Sequence, residues 1–364
     1  MGIERVPGAK GASFSKAVAV SGAGAAAANI ILNTTNAYVL DSILDSSGNV
    51  ALDASDTSTI NAIVATASAS IAGGAVGVGV SIGGAFAINL IGSESEHAGV
   101  QAYVKNSTID ATGALTQTAT ADETIKAAVL AGSVALAPGG VGVGVSGTGV
   151  LAINMINTDI KAFIDENSDI DTGSVTLTAD DTSRIRAFAG SASVAASFGV
   201  VGVAVSIGVA LAHNMIDNNV AAYVMDSTVT STVGDIAVHA IEHSLINAVS
   251  AAASLGVAIG AVGVAVSGAG ATATNVILTK TNAYVTDSTL DGDGAVTLKA
   301  SDTSEINAIV ATTSAALAGG AVGVGVALGA SIARNLIGHT LLDVRTPAQV
   351  RAYVNNSDIT AAGA

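Results

Sequence analysis

Residues 73–91 read Gly73-Gly74-Ala75-Val76-Gly77-Val78-Gly79-Val80-Ser81-Ile82, continuing as Gly-Gly-Ala-Phe-Ala-Ile-Asn-Leu to Ile91. Val76, Val78, Val80 and Ile82 share one parity, whereas Gly77, Gly79 and Ser81 share the other. A period of two is the signature of a strand. One face of that strand is branched and apolar, and the other is almost bare backbone. A bare face lets a second layer approach unusually closely. Versions of this stretch recur six times, so the chain is read as a stack of such strands.

The recurrence has two anchors. An Asn near the end of each apolar strand falls at Asn29, Asn89, Asn154, Asn214, Asn275 and Asn335, at spacings of 60, 65, 60, 61 and 60. A small-aromatic-branched triplet follows each Asn, centred on Tyr38, Tyr103, Phe163, Tyr223, Tyr284 and Tyr353. A Ser comes after each triplet: Ser42, Ser107, Ser168, Ser227, Ser288 and Ser357. Fixed periods of this kind mark repeat architectures. The segments from Ala19 and Ser55 return at Ala265 and Ser301, so four units make a super-repeat of 246 residues. Residues 1–364 therefore read as one continuous tandem array without separate domains, and as a window on a longer one.

Each unit has four pieces. The aromatic strand comes first, with Asp41, Asp226 or Asp287 at its end. A Val/Thr-rich alternating strand follows, as in Gly294-Ala-Val-Thr-Leu-Lys-Ala. Its residue types suit a pleated, half-buried surface. A long small-residue run and the Val/Gly strand complete the unit, separated by Gly73-Gly74, Gly139-Gly140 or Gly319-Gly320. Paired glycines between alternating runs are a hairpin signal, but a solenoid turn reads the same way. The expected fold is all-β: a parallel β-solenoid rod of units of about 60 residues, with hairpins as an open alternative. Three coils per unit at about 4.8 Å each predict a rod of about 85 Å.

Composition narrows the function classes. The net charge is −15, which disfavours nucleic acid as a partner. There is no Cys, hence no thiolate chemistry and no disulfide staple. Long charge-free runs such as 244–279 imitate membrane helices by hydropathy. Their alternation, their Gly and Val content and the lack of aromatic girdles argue against helices and membrane barrels alike, so the chain is read as not membrane-spanning. The amino-terminal MGIERVPGAKGASFSK has no apolar run of signal-peptide length.

Candidate chemistry is sparse. Gly142-Val-Gly144-Val-Ser-Gly147 matches a dinucleotide-binding spacing, but more strand follows it instead of a helix. His239, Glu242 and His243 suggest a metal trio, but on a strand only His239 and His243 share a face with no third ligand nearby, so they read as solvated rim. Asp291 and Asp293 on a Gly-rich turn are the weak candidates for structural Ca²⁺, since hard cations favour carboxylates on a tight turn. Asp53, Asp56, Asp122, Glu123, Asp180, Asp181, Asp302 and Glu305 read as an acidic rim that protects edges. The Ser after the aromatic triplet reads as a turn cap, and the aromatic as the core plug of its unit. No catalytic or cofactor-binding residue is expected, and no enzyme.

The pattern Asn-x-Ile, Ala-Tyr-Val-x-Asp-Ser, Gly-x-Val-x-Leu-x-Ala and Gly-Val-Gly-Val resembles the repeats of leukotoxin-type filamentous adhesins, among the giant filamentous-haemagglutinin-like exoproteins of Gram-negative bacteria. The resemblance runs from about residue 17 onward. It implies an exported, cell-surface β-solenoid used in adhesion or as a stalk. Two expectations follow. One is an extracellular fibre or sheath subunit whose partners are copies of itself. The other is a passive stalk of an adhesin that meets a host or neighbouring-cell surface.

Overall fold

A computed structural model describes residues 16–93, 95–340 and 347–363. All but Lys16 of the amino-terminal segment quoted above lie outside them. The described residues form a parallel β-solenoid of six coils, one per repeat. All strand pairings are parallel, each between a residue and its equivalent about 60 residues on. The expected three coils per unit are corrected to one. Six layers at about 4.8 Å separate the first and last coil by only about 24 Å. The long dimension lies across the stack, along strands of up to 18 residues such as Gly74–Ile91.

Each of the first five coils visits four sheets, and the sixth, among the described residues, visits three. The valine sheet begins with Ala17–Ile31 and Gly74–Ile91. The tyrosine sheet begins with Thr34–Leu40 and Ala98–Lys105. The threonine sheet is exemplified by Thr108–Ala121 and Asp169–Asp181. The alanine sheet is exemplified by Thr59–Ile71 and Arg184–Phe198. The chain then turns back into the next valine strand.

The turn between alanine and valine strands is an arch. Ile71 and Gly74 do not pair with each other; each strand hydrogen-bonds sideways to the next coil. The paired glycines thus make no hairpin. In the second arch the chain runs on from Thr124 to Ile156, bending at Pro138-Gly139-Gly140. Gly320, with φ of 143°, adopts a backbone at the fifth arch that a side chain would strain.

The coil has two unlike parts. The tyrosine and threonine sheets enclose an ordinary core of Val104, Ile109, Leu115, Ile164, Ile170 and Leu177, all fully buried. We call this part the lobe. The alanine and valine sheets lie back to back as a thin slab. Here the bare face predicted from residues 73–91 turns inward. A Cβ on Gly79 would sit 2.9 Å from the Leu136 carbonyl oxygen, and one on Gly144 2.9 Å from that of Ala196. Hydroxyl pairs bridge the slab, Ser68 with Ser81 at 2.8 Å and Ser254 with Ser267 at 2.7 Å. Branched residues such as Ile63, 82% exposed, and Ile82, 58%, face outward, while Val64, Val129, Ile91 and Ile156 on the same two sheets point inward.

Three ladders tie coil to coil. The six anchor asparagines point inward, and each Nδ2 donates to the Oδ1 of the next over 2.8–2.9 Å, from Asn29 through Asn335. The side-chain bonds run parallel to the backbone ladder, so register is specified twice. The anchor serines form the second ladder. The Ser42 amide donates to Ser107 Oγ at 3.0 Å, and Ser107 Oγ donates to the Lys105 carbonyl at 2.6 Å. The expected turn cap is therefore present, but it caps the amide of the preceding coil. Asp41, Asn106, Asp226, Asp287 and Asn356 take positive φ at this corner, a conformation that Asn and Asp tolerate best.

The aromatics form the third ladder. Tyr38, Tyr103, Phe163, Tyr223, Tyr284 and Tyr353 stack with centroids 4.7–5.2 Å apart and planes within 8°. They stand on the outer face of the tyrosine sheet, because Ala102 and Val104 on the other parity point inward. The expected core plug is corrected to a surface ladder. Burial pushes the Tyr284 phenol up to about 12 and raises that of Tyr223 further. Tyr38, on the outermost coil, is half-exposed.

Candidate functional site

Slab and lobe meet at a polar waist. There the corner leaving each threonine strand faces the corner leaving each valine strand. The Asp or Glu ending the threonine strand points inward, because strand alternation puts it on the parity of the core alanines. Asp56, Asp181 and Glu242 occupy this position in coils 1, 3 and 4, and each is buried. In coil 2 the position is Ala121, and the carboxylate comes from Glu123, two residues later. These acids are not the solvated rim expected from sequence. Asp53, Asp122 and Glu305 do lie on the exposed rim.

Side chains satisfy part of this column. Asn33 Nδ2 donates to Asp56 at 2.8 Å, and Asn218 Nδ2 donates to Asp181 at 2.8 Å. Thr158 Oγ1 donates to Glu123 Oε2 at 2.7 Å, and Ser244 donates to Glu242. Glu123 Oε1 and Glu242 Oε2 are buried without a partner. Burial, reinforced by the Asp181 charge, pushes Glu123 up to about 8. Burial also lifts Asp181 to about 6, against hydrogen bonds from Asn218 and Ser183. Glu242 is raised well above the ordinary carboxylate range by burial and by the Asp181 charge. A low-dielectric site with several adjacent carboxylates keeps protons on some of them. Burial thus favours the protonated forms of Glu123 and Glu242, and sequence reasoning missed the column because the same residues read equally well as solvated turns.

The other candidates do not converge. Asp291 and Asp293 are both exposed at the outer corner of coil 5. Among the described residues no group of three or more His, Asp or Glu is placed to hold a metal ion. His239 is half-buried on the outer face, its basicity lowered by burial and then by Lys299, whereas Glu242 points inward. Those two do not share a site, and the expectation that Glu242 is solvated is corrected. Gly142 and Gly144 of the dinucleotide-like spacing face the slab interior against backbone carbonyls, so no phosphate can reach them.

What the molecule does present is backbone. The outer edges of coils 1 and 6 display strands in the register by which inner coils pair. An unpaired parallel edge is a template for another chain. No family model, no curated protein and no solved structure matches this chain.

Proposed function

We propose that this protein is a structural subunit of an extracellular fibre or sheath, extended by stacking one chain's terminal coil on the next chain's first coil. The observation that carries this reading is the uniform register. The first five coils sit on one another by the same four parallel pairings, the sixth adds three of them, and the same Asn, Ser and aromatic ladders run through all six. Coil 1 is nearly a sequence copy of coil 5, which stands between two coils within the chain. A chain-to-chain junction therefore uses contacts that already exist inside one chain. A role without catalysis and an extracellular location fit the resemblance noted above and the scarcity of convergent polar groups.

A second reading has its own support. The super-repeat of 246 residues continues without a composition break, as in a stalk that holds a binding region away from a cell. Electron microscopy of the purified chain at neutral pH, with and without Ca²⁺, separates the two. Filaments growing along the stack, with an axial repeat near one chain's rise of about 29 Å (six coils at about 4.8 Å), support the fibre. Single short particles at all concentrations refute it and favour the stalk.

A further inference from the structure

We infer that the outer face of the valine sheet is a self-docking surface, on which the slab of a second copy of this chain seats by a two-fold, face-to-face contact. The face is a lattice. Its middle row runs Val18, Val78, Val143, Val203, Val264 and Val324 across six coils, flanked by the rows through Val80 and Val76. No Asp, Glu, Lys or Arg occurs in residues 57–93, 127–158 or 306–333. Two such faces therefore meet without like-charge repulsion, although the chain carries −15 overall.

The size fits one stable contact. Six strands about 4.8 Å apart and the eleven-residue run from Val76 to Phe86, ten steps of about 3.3 Å, give about 24 by 33 Å, about 800 Å² on each copy. That is the area per partner of a standard stable interface, and it exceeds the apolar patch a monomer ordinarily exposes.

The relief fits a copy of itself. Beside the valine rows runs a shallow apolar trough of about 600 Å³ floored by Gly24, Gly84 and Gly149, with Phe86, Leu151 and Leu211 along it. Fold geometry does not require these glycines. A Cβ on Gly84, Gly149 or Gly270 would meet nothing within 4 Å. The inward Gly79, Gly144 and Gly208 would instead meet carbonyl oxygens within 3 Å. Strand glycines are costly and mark places where another backbone comes close. Ridge and trough share one face, so a two-fold axis between them lays each copy's valine row over the other's trough, which Gly24, Gly84 and Gly149 floor in coils 1 to 3 and Val209 closes in coil 4. Acyl chains would mould to any relief and need no trough.

The test uses the whole chain. Electron microscopy reads thickness across the slab, and sedimentation velocity over a concentration series reads mass. Lateral pairing doubles thickness, whereas end-to-end stacking changes only length, so the two can fail separately. The expected result is doubled thickness for the native chain. Val143→Lys with Val203→Lys, and separately Gly149→Phe, weaken pairing at least about thirtyfold. Both leave the melting midpoint near that of the control Thr297→Lys on the outer threonine face. Single-slab thickness at every concentration overturns the inference. So does insertion of unpaired chains into phosphatidylcholine–phosphatidylglycerol vesicles.

Discussion

The lobe and the slab are made of the same alternating strands turned opposite ways. In the lobe Val104, Ile164 and Leu177 point inward, and Thr176, Lys161 and the aromatic ladder point outward. In the slab Gly144, Ser146 and Ala152 point inward, and Val143, Val145 and Leu151 point outward. Spacing accounts for the difference. Sheets packed through branched side chains stand about 10 Å apart. The slab's carbonyls lie too close to the opposing glycines for that. The lobe draws its stability from apolar burial, about 1.5–3 kcal/mol for each fully buried Val, Ile or Leu. The arch end of the slab interior, lined by Gly, Ala and Ser, offers little such area, whereas toward the waist Ile91, Ile125, Ile156 and Ile185 are fully buried. The arch end holds through dispersion between closely packed backbones, hydroxyl pairs and the ladders.

That contrast can be broken from within one strand. Gly144 faces inward and Gly149 outward, five residues apart. Gly144→Val must push apart two sheets of backbone. Its expected cost is about 4 kcal/mol or more, enough to lose the fold at moderate temperature. Gly149→Val meets open space in the single chain and is expected within about 0.5 kcal/mol of the native protein when both are dilute and unassociated. Thermal denaturation followed by circular dichroism measures both. Equal costs would mean that the slab is looser than the contacts at Gly144 imply.

Side-chain truncation sharpens the comparison. Ile164→Ala removes a fully buried side chain from the lobe, at an expected cost of about 2–5 kcal/mol. Val143→Ala removes an outward side chain from the slab and is expected to cost under about 1 kcal/mol in dilute, unassociated chain. Urea unfolding gives both. A large cost for Val143→Ala that grows with protein concentration would place the loss in an interface between copies.

The smallest expected effect lies at the waist between the two regions. Glu123 holds its proton up to about pH 8 in the folded chain and releases it at ordinary acidic pH when unfolded. The folded state therefore binds more protons. Its contribution is fully present below the unfolded carboxyl range and is lost as pH rises toward 8, with Asp181 adding a smaller loss toward about 6. The melting midpoint is expected to fall by several degrees from pH 5 to pH 9. Glu123→Gln should flatten that fall and raise the midpoint at pH 9. A midpoint that rises with pH would mean that the column is hydrated and ionised.

Much of this was legible in residue order. The Asn spacing of 60 to 65 is the stacking period itself, and the equivalent residues it aligns are those that pair. The bareness of Gly77 and Gly79 announced a close layer. The anchor serines read correctly as caps. The acid column did not show, because Asp181 next to Asp180 looks the same whether the first or the second enters the core. The aromatic ladder was misassigned for a related reason. A large ring at a repeated position suits a core plug or an exposed stack, and only its parity relative to Val104 separates them.

Sequence alone determined that there are two faces on every strand, where the units begin, and that all coils share one register. Those properties follow from period and repetition, which are local and additive along the chain. Tertiary structure decided which face turns inward, that one unit makes one coil, and that the paired glycines bend an arch instead of a hairpin. Those properties depend on the distance between two layers and on the choice of hydrogen-bonding partner. A strand of alternating Val and Gly is compatible with either side as its core until a second sheet arrives. The carbonyls of the alanine strands approach closely enough that only the glycine side fits.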